Sequence, residues 1–166
     1  MSVQPIVDVL KKITTLHDNL LSISKKKTES LTKNNIDYLQ ELLLQERKYV
    51  QAINQLETKR MELVENWAHV NGLDSQAITV SVMIDDDLVG TDKQALESVT
   101  TRLAETLVEL RQQEQLNQQL TKQSMQFIQL TMDMISPSLT TMNYGNQANK
   151  QQATQQVKRS LFDSKA

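Results

Sequence analysis

Apolar positions recur along most of this 166-residue chain at alternating steps of three and four, the pattern of helices that each bury one stripe. The first stripe is Ile6, Val9, Ile13, Leu16, Leu20 and Ile23, with Leu10 beside it. It predicts a helix over residues 5–32 with a coiled-coil-like seam. Pro5 suits its first turn, where the missing N–H would be unpaired in any case. Lys25, Lys26 and Lys27 fall near the C-terminal end, where the helix dipole favours cations. They are expected to be a solvated helix end, because three lysines at roughly 1 kcal/mol each give only weak adhesion to anionic lipid.

Asn34-Asn35 predicts a turn, with Asn35 capping a second helix over 36–70 and Asp37 in its first turn. The stripe there is Leu39, Leu42, Tyr49, Ile53, Leu56, Leu63 and Trp67, widened by Leu43, Val50 and Val64 and interrupted by Glu46 and Arg60. Asn71-Gly72 is a helix stop with Gly at the left-handed position. The connector, 73–90, carries an alternating run, Ile78, Val80, Val82 and Ile84. No second strand exists to pair with it, so a short helix capped by Thr79 or Asp74 is expected, the alternative being an edge that pairs with another chain.

Thr91-Asp92-Lys93-Gln94 has the form of a capping box that opens a third helix over 92–136, roughly 67 Å long at 1.5 Å per residue. Its seam is Leu96, Val99, Leu103, Leu107 and Leu110, and it breaks at Glu114. Beyond the break, apolar residues spread around the helix: Leu116, Leu120, Met125, Phe127, Ile128, Leu130, Met132, Met134 and Ile135. A helix apolar on more than one side must be covered on more than one side. Either the chain pairs with itself there or another protein docks. Unbranched methionine repacks readily, which suits a varied apolar partner.

Pro137 ends the helix, and the polar segment that follows, 137–166, is expected to be a flexible tail. Within it Ala153, Val157 and Leu161 recur at i, i+4 with Phe162 adjacent, a short amphipathic segment suited to folding on a partner. The expected fold class is therefore all-α: an elongated antiparallel bundle of three long helices in residues 1–136, a short connector, and the tail.

Composition narrows the function. Aromatic residues make up 4% of the chain, which excludes a thick globular core. A formal charge of -2 argues against nucleic acid as the main partner. With no Cys there is neither a thiolate metal site nor a Cys nucleophile. His17 and His69 lack acidic or His neighbours at i+3 or i+4, and Asp85-Asp86-Asp87 lacks the alternating ligands and Gly of a calcium loop. Gly72, Gly90 and Gly145 are isolated, so no phosphate cradle exists. No enzyme, cofactor, metal or small-molecule substrate is expected. The N-terminus has no signal-peptide pattern and no run of 18 apolar residues occurs, so a soluble cytoplasmic protein is expected.

Two long helices joined at Lys33-Asn34-Asn35-Ile36-Asp37, a Gly-ended break, and a third helix carrying Leu110, Leu116-Asn117 and Leu120 resemble the FlgN family of flagellar export chaperones. The ending is more specific. Asn143-Tyr144-Gly145-Asn146, a polar spacer and Arg159-Ser160-Leu161-Phe162-Asp163-Ser164-Lys165-Ala166 are similar to the tails of members from Gram-positive bacteria. The resemblance implies a non-enzymatic cytosolic chaperone of type III secretion. It would bind the C-terminal helical segments of the hook-associated proteins FlgK and FlgL, prevent their premature assembly and bring them to the export gate. It further implies gate docking through Tyr144, the tail position that best matches. Leu116, Leu120, Met125, Phe127, Ile128, Met132 and Ile135 are the expected cargo contacts, and Val157, Leu161 and Phe162 the expected tail contacts. A homodimer, or a self-associating coiled-coil scaffold or signalling bundle, is the competing expectation.

Overall fold

A computed structural model describes residues 2–74 and 78–135. Four helices occur among them: α1 (Gln4–Thr32), α2 (Ile36–Val70), α3 (Val80–Val82), which runs on into a π-helical turn at Met83–Asp87, and α4 (Gly90–Ile135). No strand occurs among the described residues, and the all-α bundle with three long helices and a short connector is as the periodicity predicts. By its contacts the chain divides into two units, residues 1–121 and 122–166.

In the first unit α1 is the central helix. Ile6, Val7, Val9, Leu10, Ile13, Thr14, Leu20, Ile23, Ser24, Lys27 and Ser30 are all buried, more of its circumference than one stripe occupies. One side meets α2; the other makes side-chain hydrogen bonds to α4 through Asp18, Ser24 and Thr28. On α2 the buried stripe is narrow: Leu42, Ile53, Val64, Trp67 and Ala68. Leu43 and Val50, which the sequence assigns to a widened stripe, are exposed, because each lies one residue off the line of contact.

Both turns close by the same hydrogen-bond pattern. After α2 the Leu73 N–H reaches the Ala68 carbonyl at 3.0 Å and the Gly72 N–H reaches His69 at 3.2 Å, with Gly72 at φ 71°. After α1 the Asn35 N–H reaches Ser30 at 3.0 Å and the Asn34 N–H reaches Leu31 at 3.4 Å, with Asn34 at φ 53°. Both are Schellman closures, which require a left-handed residue; Gly and Asn are the residues that tolerate it. The Asn35 side chain then accepts from the Tyr38 N–H at 3.2 Å and caps α2.

The connector is helical. Thr79 caps it, its hydroxyl accepting from the Val82 N–H at 3.2 Å, so the alternating apolar run does not form an edge. Met83, Ile84 and Leu88 instead join Val3, Ile6, Val7 and Leu10 of α1, Val64 and Trp67 of α2, and Leu96 and Val99 of α4 in one core cluster. The three long helices and the connector therefore meet at a single apolar end. The capping box does not form: α4 opens at Gly90, whose φ is 64°, and among the described residues Thr91 and Gln94 make no capping hydrogen bond. Glycine's access to positive φ lets the helix start two residues before the predicted Asp92.

Leu96 is fully buried in this cluster, so Leu96→Ala should destabilise the bundle by about 2–5 kcal/mol in urea unfolding. Thr79→Ala should cost about 1 kcal/mol by the same measurement, through loss of the cap.

Candidate protein-binding surface

Away from the apolar end, the helices of the first unit are joined by charge. Lys27 is buried at 6% exposure, and its Nζ lies 2.8 Å from Glu46 Oε1 on α2 and 2.9 Å from Glu114 Oε1 on α4. Around it the Ser24 hydroxyl donates to Glu114 at 2.5 Å, and Asn117 Nδ2 donates to the Ser24 carbonyl at 2.9 Å. The Thr28 hydroxyl donates to Asn117 Oδ1 at 2.5 Å, and Gln113 Nε2 donates to Thr28 at 2.5 Å. No buried side-chain polar atom among the described residues is left without a partner.

This cluster corrects two expectations. Lys25 and Lys26 are exposed as a solvated helix end should be, but Lys27 points inward. The seam of α4 does not stop at Glu114; it turns polar, with Thr106 and Asn117 buried in line and Leu107 exposed. Thr106 takes the inward place because its hydroxyl donates to Asp18 Oδ1 at 3.0 Å, which also accepts from Arg102 Nη2 at 3.4 Å. Burial lowers the Lys27 pKa, but hydrogen bonds and charge from Glu46 and Glu114 outweigh it and leave the group above 10.5. Folded Lys27 therefore holds its proton more tightly than the unfolded chain does. That stability is fully present below pH 10.5 and is lost as pH rises through the raised value.

His17 is engaged by the Ile13 carbonyl, 2.8 Å from Nδ1, while Asp85, Asp86 and Asp87 are exposed, and among the described residues no three His, Cys, Asp or Glu side chains converge on a cation position.

The apolar surface lies elsewhere. In the first unit Leu116 is exposed and Leu120 half-buried. In the second unit the described residues, 122–135, are helical, and Met125, Phe127, Ile128, Leu130, Met132, Met134 and Ile135 are all 59–76% exposed. At 3.6 residues per turn these seven fall on two sides. Met125, Ile128, Met132 and Ile135 share one face at steps of three, four and three; Phe127, Leu130 and Met134 share another, about 145° away by the same periodicity. Each face has the spacing of a helix-packing seam, and side chains of this size gain about 1.5–3 kcal/mol each on full burial. Exposed apolar patches of this kind mark interaction sites. Tyr144, Val157, Leu161 and Phe162 lie outside the described residues.

Lys27→Ala leaves two carboxylates facing each other without their cation. It should destabilise by an amount near the lower end of about 3–5 kcal/mol, since Glu46 and Glu114 keep some water. Replacing all three residues by Met or Leu should recover most of that loss. Thermal melts of the two variants against the parent check both, and only the parent should lose additional stability as the pH rises above 10.5.

Among the described residues no helix is long and apolar enough to cross a membrane. No solved structure matches the chain. The chain is 34% identical over 166 residues to a Bacillus subtilis (strain 168) protein described as "Uncharacterized protein YvyG", with both chains covered in full. The family model described as FlgN protein matches residues 1–152, nearly the whole bundle-and-tail pattern from the first helix onward. The chain belongs to the FlgN family.

Proposed function

We propose that this protein is a flagellar export chaperone whose cargo is the C-terminal helical segments of the hook-associated proteins FlgK and FlgL. Family membership supports a non-enzymatic chaperone role in flagellum biogenesis. The observation that carries the finer reading is the Met-rich end of α4, whose large apolar side chains are exposed on two seams. Terminal helical segments that assemble by side-by-side packing carry an apolar stripe of their own. A helix laid along Met125, Ile128, Met132 and Ile135 covers that stripe until assembly, in the manner of an amphipathic helix in a groove. Leu116, Leu120 and Phe127 complete the proposed cargo contacts. Methionine and leucine suit two related cargoes because they adjust rotamers at little cost.

The tail is assigned the second step. Tyr144 would dock at the export gate, with Val157, Leu161 and Phe162 as its apolar contacts. In this reading the protein works in the cytoplasm and meets the membrane only through the export apparatus.

Phe127→Ala with Ile128→Ala should weaken binding of a FlgK or FlgL C-terminal segment at least tenfold by calorimetry while far-UV helicity is retained. A collapse in melting temperature would instead make these residues core. Deleting residues 143–166 should leave cargo affinity within about twofold and sharply reduce cargo secretion; an equal loss of both would overturn the division of labour. A persistent oligomer of the isolated chain that forms no stoichiometric complex with either cargo would favour the self-associating scaffold.

A further inference from the structure

The first unit carries a groove of its own, apart from the exposed end of α4. We infer that the groove between α2 and α4 is a docking site for an amphipathic helix of a partner protein that bears acidic residues on both borders of its apolar stripe. The inference goes beyond the cargo reading and uses none of the residues assigned there.

The Lys27 ion pairs locate the groove. Glu46 and Glu114 both reach Lys27, so these positions of α2 and α4 face each other over α1. Residues after Glu46 and residues before Glu114 lead to the same end, where Trp67 and Leu96 share the core. Val50, four residues after Glu46, therefore lies level with Leu110, four residues before Glu114. Among the described residues no side-chain hydrogen bond or ion pair joins α2 to α4 directly; α1 supplies the bridge from beneath.

The walls are apolar. Leu43 and Val50 lie at i−3 and i+4 from Glu46 and so on its side of α2; Leu110 and Leu107 lie one and two turns before Glu114 on its side of α4. Leu39 and Leu110 are half-buried, while Leu43, Val50 and Leu107 are 42–45% exposed. That is less than the outward side chains of residues 125–135 show, and it is the exposure of walls rather than of an outer face. From Leu39 to Val50 the groove runs about 17 Å, the length of three helical turns. At the far end the shared core closes it. A helix laid in it would turn two helices resting on α1 into a covered four-helix arrangement, with the partner's stripe against Leu43, Val50 and Leu107.

Charge selects the partner. Arg47 is one turn from both Leu43 and Val50, and Arg111 is one turn from Leu107, so each stands on a rim. Counted from Glu46 and Glu114, the two lie within about 3 Å of the same level. Both are exposed, and among the described residues neither makes an ion pair. The carboxylates nearby are already engaged, Glu46 and Glu114 by Lys27 and Glu57 by Arg60. On a chain whose overall charge is -2, the groove thus offers cations on both rims and no free acid. A helix with Glu or Asp at both borders of its stripe satisfies both rims at once, as flanking charges do in coiled coils. A second copy does not fit as well. Laid groove to groove, two copies would bring four arginines together, and like charges facing across an interface are penalised.

The probe is a synthetic peptide of about five helical turns with Leu at the a and d positions and Glu at e and g, beside a counterpart with Lys at e and g. Like charges at e and g keep each peptide from pairing with itself. By fluorescence anisotropy the full chain should bind the acidic peptide at least tenfold more tightly than the basic one, and the preference should shrink as salt is raised. Arg47→Gln with Arg111→Gln should bring the two peptides within about twofold. Val50→Gln with Leu107→Gln should weaken the acidic peptide at least tenfold, and Leu43→Gln alone should weaken it in the same direction. Ile128→Gln with Met132→Gln should leave it within twofold. All the substituted side chains are exposed and Gln keeps helix propensity, so melting temperatures should stay near that of the parent. No binding, equal binding of the two peptides, or a preference that survives the arginine substitutions would overturn the proposal. A loss that follows the Ile128 and Met132 pair instead would move the peptide to the end of α4, which defeats the groove and leaves the cargo reading standing. A dimer of the chain alone that Val50→Gln with Leu107→Gln dissociates in sedimentation would assign the groove to a second copy and overturn the acidic partner.

Discussion

The bundle of the first unit depends on where one lysine points. Among the described residues Lys27 is the cation at which α1, α2 and α4 meet, with a carboxylate from each of the other two helices within 3.0 Å. An apolar contact tolerates sliding by part of a turn, because one leucine packs nearly as well as its neighbour. A buried ammonium does not, since a shift of one turn leaves it without partners in a poorly solvating site. Such a triad adds little net stability over a hydrophobic replacement, and its value lies in fixing which residues face each other. In this chain it fixes Glu46 against α1, and Glu114, Gln113 and Asn117 against Ser24, Lys27 and Thr28.

That constraint and the apolar core divide the labour along the bundle. At one end Val3, Ile6, Val7 and Leu10 pack with Trp67, Met83, Leu96 and Val99, and supply burial. Toward the turn after α1 the same helices are held by hydroxyl, amide and ionic groups. The connector belongs to the first end: a capped turn of α-helix followed by a π-helical turn aims Met83 and Ile84 into the core and leaves Asp85, Asp86 and Asp87 in water.

The long helices were legible from spacing because their buried residues keep one period over many turns. Capping was legible where the side chain makes the contact itself, at Asn35 and Thr79. It was misleading at Thr91, where the positive φ of Gly90 changes the geometry of the start. The polar cluster was visible only as its negative. Glu46 and Glu114 stood out as breaks in two separate stripes, and nothing in either stripe says that the breaks face one another across Lys27. A pairwise coincidence of that sort is a tertiary fact, and local periodicity carries no information about it. The two faces beyond Thr121 were legible as residues with no single stripe, and the helix supplies the angular sorting.

The interruption at Glu114 therefore has a different meaning from the end of a seam. Up to Asn117 the inward positions of α4 are matched to α1, first by apolar contact and then by hydrogen bonds, so they have no surface to offer. Farther along, Met125, Ile128, Met132 and Ile135 continue the same period with side chains that are apolar and exposed. A buried polar match also discourages slippage, since sliding α4 along α1 would pull Glu114 and Asn117 from Lys27, Ser24 and Thr28. The polar cluster thus fixes the helices of the first unit in register, with the inward positions of α4 up to Asn117 already matched to α1.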